Sequence, residues 1–356
     1  MCKYVFEDYT YVSLENPDNK EFALHDPRGF LKQYHAKVII DEAQNAPILF
    51  AYIQEIVDNS KIKGQYILSG SQNFLLLEKI TQSLAGRTYI FHLLPFSYEE
   101  LKLTKYNNEM INSNIFNGGY PRIYDDQLRP HEFFPSYIQT YIERDVRSIR
   151  NISNLSLFRQ FLTVCAGRTG QLLNTNSIGN ELGIDHKTVK SWLSILEASF
   201  IIYLLKPWHK NFKKRVVKAP KMYFYDTGLA CYLLGIKDEI QVATHFLRGS
   251  LFENHVINEV LKSNYNRGEN VDLFFWRNNI GNEVDLIIDT GLNTKLVEIK
   301  SSQTINPTFF KGIQYLQSIS NMRSKSSFII YGGDVTQLRT GTSVLPWFSL
   351  DMLNDY

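Results

Sequence analysis

Three acidic residues and one lysine in the last third of the sequence have the types and spacing of a metal-dependent hydrolytic site. Glu253 lies in the amphipathic segment RGSLFENHVINEVLKSN, and Asp285 lies in the strand-like segment NEVDLIID. Glu298 and Lys300 follow in KLVEIKSS, where strand alternation puts both side chains on one face. The carboxylates of Asp285, Glu298 and Glu253 suit a hard cation such as Mg²⁺. The metal would polarise a phosphate and activate a water, while Lys300 would position that water and offset developing charge.

The order of these residues resembles the core of the PD-(D/E)XK nucleases. A Glu-x-Lys pair alone occurs on many half-exposed strands. Here Asp285 lies thirteen residues before Glu298, and the turn Thr290-Gly291-Leu292-Asn293 between them predicts a strand hairpin. The resemblance therefore implies a nuclease-like fold, whereas cleavage itself has to be argued from the site.

A second set of polar residues ends apolar runs near the N-terminus. Asp41 and Glu42 end VIIDE, and Ser69 and Ser71 end GQYILSGSQ. In nucleotide hydrolysis Asp41 would hold Mg²⁺, Glu42 would activate the attacking water, and both serines would lie beside the γ-phosphate. Arg87 closes the next helix, where it could reach a neighbour's nucleotide, which predicts a homo-oligomer. The alternative is that the two acids are simply solvated at a strand end.

A local basic patch is the strongest sign of a nucleic-acid partner. Seven lysines and arginines occur between Lys206 and Lys221 without one acid. Upstream, a predicted helix–turn–helix presents further lysines on the outer face of its second helix. The residues predicted to contact nucleic acid are Lys187, Lys190, Lys213, Lys214 and Arg215. The alternative is an interaction module whose basic loop is only solvated.

The elements that must position these residues alternate between strand-like and helix-like segments. Strand-like TYVSLEN, KVIIDEAQ, GQYILSGSQ and TYIFHLLP are separated by helix-like DPRGFLKQY, APILFAYIQEIVDNS and NFLLLEKITQSLAGR. This alternation predicts a parallel sheet covered by helices. Further on, NTNSIGNELGIDHKTVKSWLSILEASF predicts helix, turn and helix, and FIIYLL with KMYFYDTG predicts a wing.

The order LEN, DPRGFL, VIIDEAQ, ILSGSQ and SLAGR resembles one bacterial and archaeal family of AAA-type ATPases. In that family an AAA-like domain is fused to a C-terminal domain of unknown function related to PD-(D/E)XK nucleases. The resemblance implies ATP and Mg²⁺ as cofactors and an α/β fold. It divides the chain into an incomplete AAA-like core over 1–95, a helical connector over 96–151, a winged helix over 152–228 and a nuclease-like domain over 229–356.

The sequence departs from that family in its phosphate-binding loop. The family begins with a strand, a GxxxxGK[ST] loop and a helix, and no GxxxxGK[ST] occurs in these 356 residues. Without the loop, no backbone N–H groups cradle the phosphates and no lysine reaches the β- and γ-oxygens, so we expect weak ATP binding or none. Two explanations stand open: Met1 is an internal methionine of a longer gene product, or the domain has decayed.

Composition limits the remaining possibilities. An apolar content of 44% excludes a disordered chain. With 38 basic and 36 acidic residues there is no strong overall field, so nucleic acid would bind a local patch. Three scattered cysteines, no secretory signal and no long apolar run predict a cytoplasmic protein without a membrane partner.

Two functions follow from these patterns. The first is metal-dependent cleavage of DNA or RNA, coupled in the complete family member to ATP hydrolysis. The second is a non-catalytic DNA- or protein-binding assembly module that kept the architecture and lost the chemistry. Asp285, Glu298 and Lys300 favour the first function. The absent phosphate loop favours the second for the N-terminal half.

Overall fold

The computed structural model describes residues 1–60, 62–70, 83–142, 154–208, 217–269, 271–291, 293–320 and 327–353. The chain forms two compact units, Met1–Ile90 and Phe91–Tyr356. Each unit combines helices with strands and encloses its own buried apolar cluster. Among the residues described, no helix has both the length and the apolar character needed to cross a membrane.

The first unit is built on a parallel sheet. Its described strands are β1 (Thr10–Ser13), β2 (Val38–Asp41) and β3 (Tyr66–Leu68), and its described helices are α1 (Cys2–Val5), α2 (Pro17–His25), α3 (Pro27–Gln33) and α4 (Ile48–Asn59). The strand order is β1-β2-β3, and both pairings are parallel. The prediction of parallel strands alternating with helices is therefore confirmed for this part of the chain.

Local sequence signals account for the helices of this unit. Asp26 caps α3, because its carboxylate accepts a hydrogen bond of 2.9 Å from the Gly29 N–H, and Pro27 occupies the first helical position. In α4 the apolar residues Leu49 and Ile53 are buried in the core that also contains the strands. The next predicted helix falls largely on residues 71–82, outside the described residues.

The prediction of a last strand in this region, over TYIFHLLP, is wrong. Residues 88–95 adopt no strand, and Tyr89 and Phe91 are exposed. A strand needs a neighbour to satisfy its N–H and C=O groups, and none of the described strands pairs with this segment. Its apolar composition alone was not sufficient to make it a strand.

The second unit contains a mixed sheet. Its described strands are β4 (Ile202–Pro207), β5 (Lys221–Phe224), β6 (Asp272–Arg277), β7 (Glu283–Asp289), β8 (Thr294–Lys300), β9 (Ser327–Tyr331), β10 (Gln337–Arg339) and β11 (Thr342–Pro346). Their order is β10-β11-β9-β8-β7-β6-β4-β5. Strand β7 runs antiparallel to both of its neighbours, whereas β9 runs parallel to β8.

Helices surround this sheet and form the connecting segment before it. They are α5 (Tyr98–Lys102), α6 (Ile111–Asn117), α7 (Pro121–Asp125), α8 (Pro130–Tyr137), α9 (Leu155–Ala166), α10 (Thr175–Leu182), α11 (His186–Ala198), α12 (Thr227–Leu233), α13 (Glu239–Thr244), α14 (Arg248–Asn266) and α15 (Lys311–Ser320). A π-helical turn, Ile138–Ile142, continues α8.

The predicted helix, turn and helix are present as α10 and α11. Gly183 takes the left-handed conformation (φ +68°) at the end of α10, and Asp185 caps α11 by accepting from the N–H groups of Lys187 and Thr188. The two predicted wing strands pair antiparallel as β4 and β5. Strand β4 also pairs with β6, so these strands form one end of the large sheet.

Candidate functional site

Adjacent strands bring the predicted acids and lysine of the C-terminal region together. Asp285 lies on β7, and Glu298 and Lys300 lie on β8, in a cleft of about 530 Å³. Helix α14 contributes Glu253 to the same cleft, and β5 contributes Lys221. The cleft is lined by Gly170, Gln171, Leu172, Lys221, Glu253, Arg277, Glu283, Asp285, Glu298 and Lys300.

Lys300 joins the two acids of the hairpin. Its Nζ lies 3.0 Å from Asp285 Oδ2 and 2.7 Å from Glu298 Oε1. The backbone N–H of Ile299 donates a further hydrogen bond of 2.8 Å to Asp285 Oδ2. Both acids are buried, whereas the Lys300 side chain is 32% exposed at the mouth of the cleft. The three side chains therefore converge on one point that solvent can reach.

Burial and charge separate the pKa values of the two acids. Burial, together with the nearby charge of Asp285, raises the pKa of Glu298 to about 8. Burial would also raise the pKa of Asp285, but the charges of Lys300 and Lys221 outweigh it and lower that pKa. Asp285 is therefore the firmly ionised member of the pair, and Glu298 is the member that takes up a proton more easily.

Glu253 lies in the cleft but takes part in a different ion pair. Its Oε1 is 2.8 Å from Lys221 Nζ and accepts a hydrogen bond of 2.5 Å from the Tyr223 hydroxyl. Lys221 also contacts the carboxylate of Glu283, which lies 3.3 Å from Arg277 Nη1. The structure thus pairs Glu253 with the buried Lys221 rather than with Lys300.

Sequence reasoning missed four residues of this second network. Lys221 was assigned to the basic surface stretch, yet its side chain is only 4% exposed. Glu283 lies two residues before Asp285, so strand alternation could have placed it on the same face. The same spacing relates Lys221 and Tyr223 on β5. No local pattern predicts that Arg277 lies in the cleft, because only its pairing with Glu283 on the neighbouring strand brings it there.

The carboxylate oxygens of Asp285 and Glu298 are suitable ligands for a divalent cation. Both side chains present oxygens to one nitrogen, and Glu298 Oε2 is buried with no hydrogen-bond partner among the described residues. Mg²⁺ commonly takes one or two carboxylates and keeps several waters. Over the described ranges, no group of three or more His, Cys, Asp or Glu is arranged to hold a metal. The pair therefore suits a cation that keeps part of its water shell.

In the first unit, parallel pairing brings Asp41 and Ser69 together at the strand ends. Asp41 accepts hydrogen bonds of 2.5 Å from Ser69 Oγ and 2.6 Å from the Tyr11 hydroxyl. Partial burial would raise the pKa of Asp41, but these two hydrogen bonds lower it below its usual value. Glu42 follows in the left-handed conformation (φ +53°), with its carboxylate against the Gln44 amide. Ser71 lies outside the described residues.

Arg87 is held within its own unit. Its Nε and Nη2 lie 2.5 and 2.9 Å from the two carboxylate oxygens of Asp58, and both side chains are exposed. This contact would have to open before Arg87 reached another copy of the chain. The homo-oligomer stays a prediction.

The residues predicted to contact nucleic acid fall into two groups. Lys187 and Lys190 are exposed on α11, as expected for the outer face of that helix. Lys213, Lys214 and Arg215 lie outside the described residues.

A loop of the helical segment forms one wall of the cleft. Residues 170–172, between α9 and α10, line it. The Gly170 N–H donates a hydrogen bond of 2.8 Å to the Met222 carbonyl oxygen. The Leu173 N–H donates a hydrogen bond of the same length to the Pro220 carbonyl oxygen. Thr169 Oγ1 lies 2.9 Å from Asn254 Oδ1 in a buried contact. The helical segment and the cleft are therefore tied together by hydrogen bonds.

Comparison with known proteins assigns domains but no activity. Residues 1–102 match the model of an AAA domain, 108–240 a domain of unknown function (DUF8612), and 248–350 a domain of unknown function (DUF4143). Uncharacterised proteins of Mycobacterium tuberculosis and Mycobacterium bovis are each 25% identical over 323 residues, which cover 90% of this chain and 70% of the relative. The predicted AAA-type domain at the N-terminus is thus confirmed.

Proposed function

We propose that this AAA-type protein cleaves phosphodiester bonds of nucleic acid with Mg²⁺ in the cleft of its second unit. The observation that carries the proposal is the convergence of Asp285, Glu298 and Lys300 on one point of a partly open cleft. Carboxylates from neighbouring strands and a lysine two residues from one of them are the groups that hydrolysis of a phosphodiester requires.

Each residue has a distinct role in this proposal. Asp285 and Glu298 hold the cation through their carboxylates, and the buried Glu298 Oε2 gains the partner that it lacks. The bound Mg²⁺ supplies polarisation of the phosphate and a water of lowered pKa. Lys300 turns its ammonium from the two acids towards the phosphate oxygens and offsets their developing charge. Arg277, which is 38% exposed, offers a second cation for the phosphate backbone at the rim.

Nucleic acid is the substrate class that the surroundings support best. The wall formed by residues 170–172 connects the cleft to the α10–α11 segment, where Lys187 and Lys190 are exposed. A winged-helix-like arrangement of α10, α11, β4 and β5 would bind the duplex, and the cleft would receive one strand. In the first unit, Asp41 and Glu42 would serve ATP and Mg²⁺, with ATP binding weakened by the absent phosphate loop.

The experiment measures cleavage of labelled single-stranded DNA, duplex DNA and RNA with Mg²⁺ and with EDTA. We expect cleavage only with Mg²⁺, and a rate reduced by about 100-fold or more in Lys300→Ala, since one group that offsets transition-state charge is lost. The matched control is Lys237→Ala, which removes an exposed lysine of the same unit away from the cleft. Equal rates for wild type and Lys300→Ala, or cleavage in EDTA, would refute the proposal.

A second candidate is a nucleic-acid- or protein-binding module without chemistry. It is favoured by the saturation of the cleft with ion pairs, since Lys221 and Lys300 each contact two carboxylates. Binding of the three substrates without cleavage at any Mg²⁺ concentration would select this candidate.

A further inference from the structure

Lys221 is a buried cation in the cleft that the proposed cleavage does not use. Its Nζ contacts Glu253 at 2.8 Å and also contacts Glu283, and its side chain is 4% exposed. The ammonium also lies 5.5 Å from the centre of the Phe275 ring. Since burial of an unpaired charge is costly, this lysine stays in place only while its carboxylates remain paired with it.

Electrostatics keep Lys221 charged. Burial would lower its pKa, but Glu253, Asp285 and Glu283 together raise it above the usual value. The Tyr223 hydroxyl also donates a hydrogen bond to Glu253, and Arg277 also forms an ion pair with Glu283. Neither Glu253 nor Glu283 therefore needs a further cation.

The two pairs of carboxylates in the cleft differ in what neutralises them. The pair of Asp285 and Glu298 shares Lys300, which is 32% exposed, and retains a buried oxygen without a partner. The pair of Glu253 and Glu283 shares Lys221, which is almost fully enclosed. A metal ion could reach the first pair as Lys300 moves into solvent, but it could reach the second only by expelling a buried ammonium.

The net charge of the cleft also favours one bound metal ion over two. With all four acids ionised, as metal binding requires, four acids and three cations line the cleft and leave one excess negative charge. One divalent ion reverses that excess, and a second would add two positive charges beside an enclosed lysine. Such repulsion between charges a few ångströms apart, beside a buried lysine, opposes the binding of a second ion.

We infer that Lys221 is a built-in cation that takes the place of a second metal, so that the cleft holds a single divalent ion on Asp285 and Glu298. This inference rests on the proposed function, because it concerns the metal of the same site. It makes Glu253 a partner of Lys221 rather than a metal ligand. It also makes Lys221 a positioning residue, since it acts through the glutamates that it holds.

The test counts Mn²⁺ ions on the full chain by titration calorimetry, with free Mn²⁺ measured by electron paramagnetic resonance. All proteins compared carry Asp41→Asn, which removes the carboxylate proposed to serve Mg²⁺ in the first unit, and the protein with the wild-type cleft is expected to bind one ion per chain. Lys221→Met frees Glu253 and Glu283 and is expected to bind two. The matched control Lys262→Met removes another buried lysine, paired with Glu259 outside the cleft, and is expected to bind one.

Each other outcome is decisive. Two ions on wild type, or one ion on folded Lys221→Met, would overturn the inference and leave the proposed metal site intact. No ion on wild type would overturn the proposed function itself. If Lys221→Met does not fold, the Mn²⁺ affinity of Glu253→Gln tests whether Glu253 is a metal ligand. We expect this affinity to lie within about two-fold of that of wild type. A ten-fold or greater loss of affinity would make Glu253 a ligand and refute the inference.

Discussion

The buried carboxylates of the cleft are each stabilised by a lysine. Lys300 neutralises Asp285 and Glu298, and Lys221 neutralises Glu253 and Glu283. Removing one member of a buried pair leaves an uncompensated charge, which commonly destabilises a protein by about 3 to 5 kcal/mol. For this reason activity assays of cleft variants need a parallel measurement of folding.

His255 is a buried polar residue without such a partner. It lies on α14 against Trp347, and its Nε2 has no hydrogen-bond partner within the described part of the chain. Burial lowers its pKa to about 4; Glu259 opposes this shift and Lys262 adds to it. The unfolded chain binds a proton on this residue near its usual pKa of 6.5. Stability from the neutral His255 is therefore present above pH 6.5 and is lost as the pH falls towards 4.

We expect His255→Leu to reduce the acid sensitivity of the second unit. Between pH 7.5 and 5.0, wild type should lose about 2 kcal/mol more unfolding free energy than the variant, because only wild type has His255, whose protonation favours the unfolded chain. Urea unfolding followed by tryptophan fluorescence measures this, since all four tryptophans lie in the second unit. An equal pH dependence of the two proteins would show that His255 is not the group involved.

Among the elements, the connecting segment is joined to the large sheet by buried polar contacts. Asp226 caps α12 and accepts a hydrogen bond of 2.7 Å from the Gly119 N–H. The Phe96 N–H donates a hydrogen bond of 2.8 Å to the Gly119 carbonyl oxygen. A Cβ on Gly119 would lie 2.2 Å from the Phe96 carbonyl oxygen, closer than any side chain can approach. This close approach requires glycine at position 119.

We expect Gly119→Ala to destabilise the second unit by about 2 to 4 kcal/mol, through overpacking against Phe96 and loss of the buried Asp226 contact. The matched control is Gly249→Ala in α14, where a Cβ meets no atom within 4 Å and alanine should be neutral or stabilising by up to about 1 kcal/mol. The midpoint of thermal unfolding by tryptophan fluorescence compares them. Equal midpoints would refute the packing role of Gly119.

Elements with strong local signals could be predicted from the sequence, and the hairpin of the site is the best case. Strands β7 and β8 were expected from their apolar runs, and Asp285, Glu298 and Lys300 were expected at one site. The segment TYIFHLLP was misjudged because a strand depends on a partner as well as on composition. The role of Lys221 was misjudged because the sequence cannot show which side of β5 the sheet and α14 cover.

For the whole molecule, long-range pairing was the part that the sequence could not supply. Lys206 of β4 pairs with Phe274 of β6, which joins the segment predicted as a wing to the strands of the site. No local pattern links residues so far apart. The nearly balanced charge of the chain similarly gave no sign that oppositely charged side chains are concentrated in one cleft.

The most direct measurement of the central claim is the rate of Mg²⁺-dependent cleavage by Asp285→Asn beside wild type. The asparagine keeps the size of the side chain and an oxygen for the Ile299 N–H, so the fold should survive, whereas the charge that holds the metal is lost. We expect the folded variant to cleave about 100-fold more slowly or not at all. A folded Asp285→Asn protein that cleaves nucleic acid at the wild-type rate would contradict the assignment of this cleft as the catalytic site.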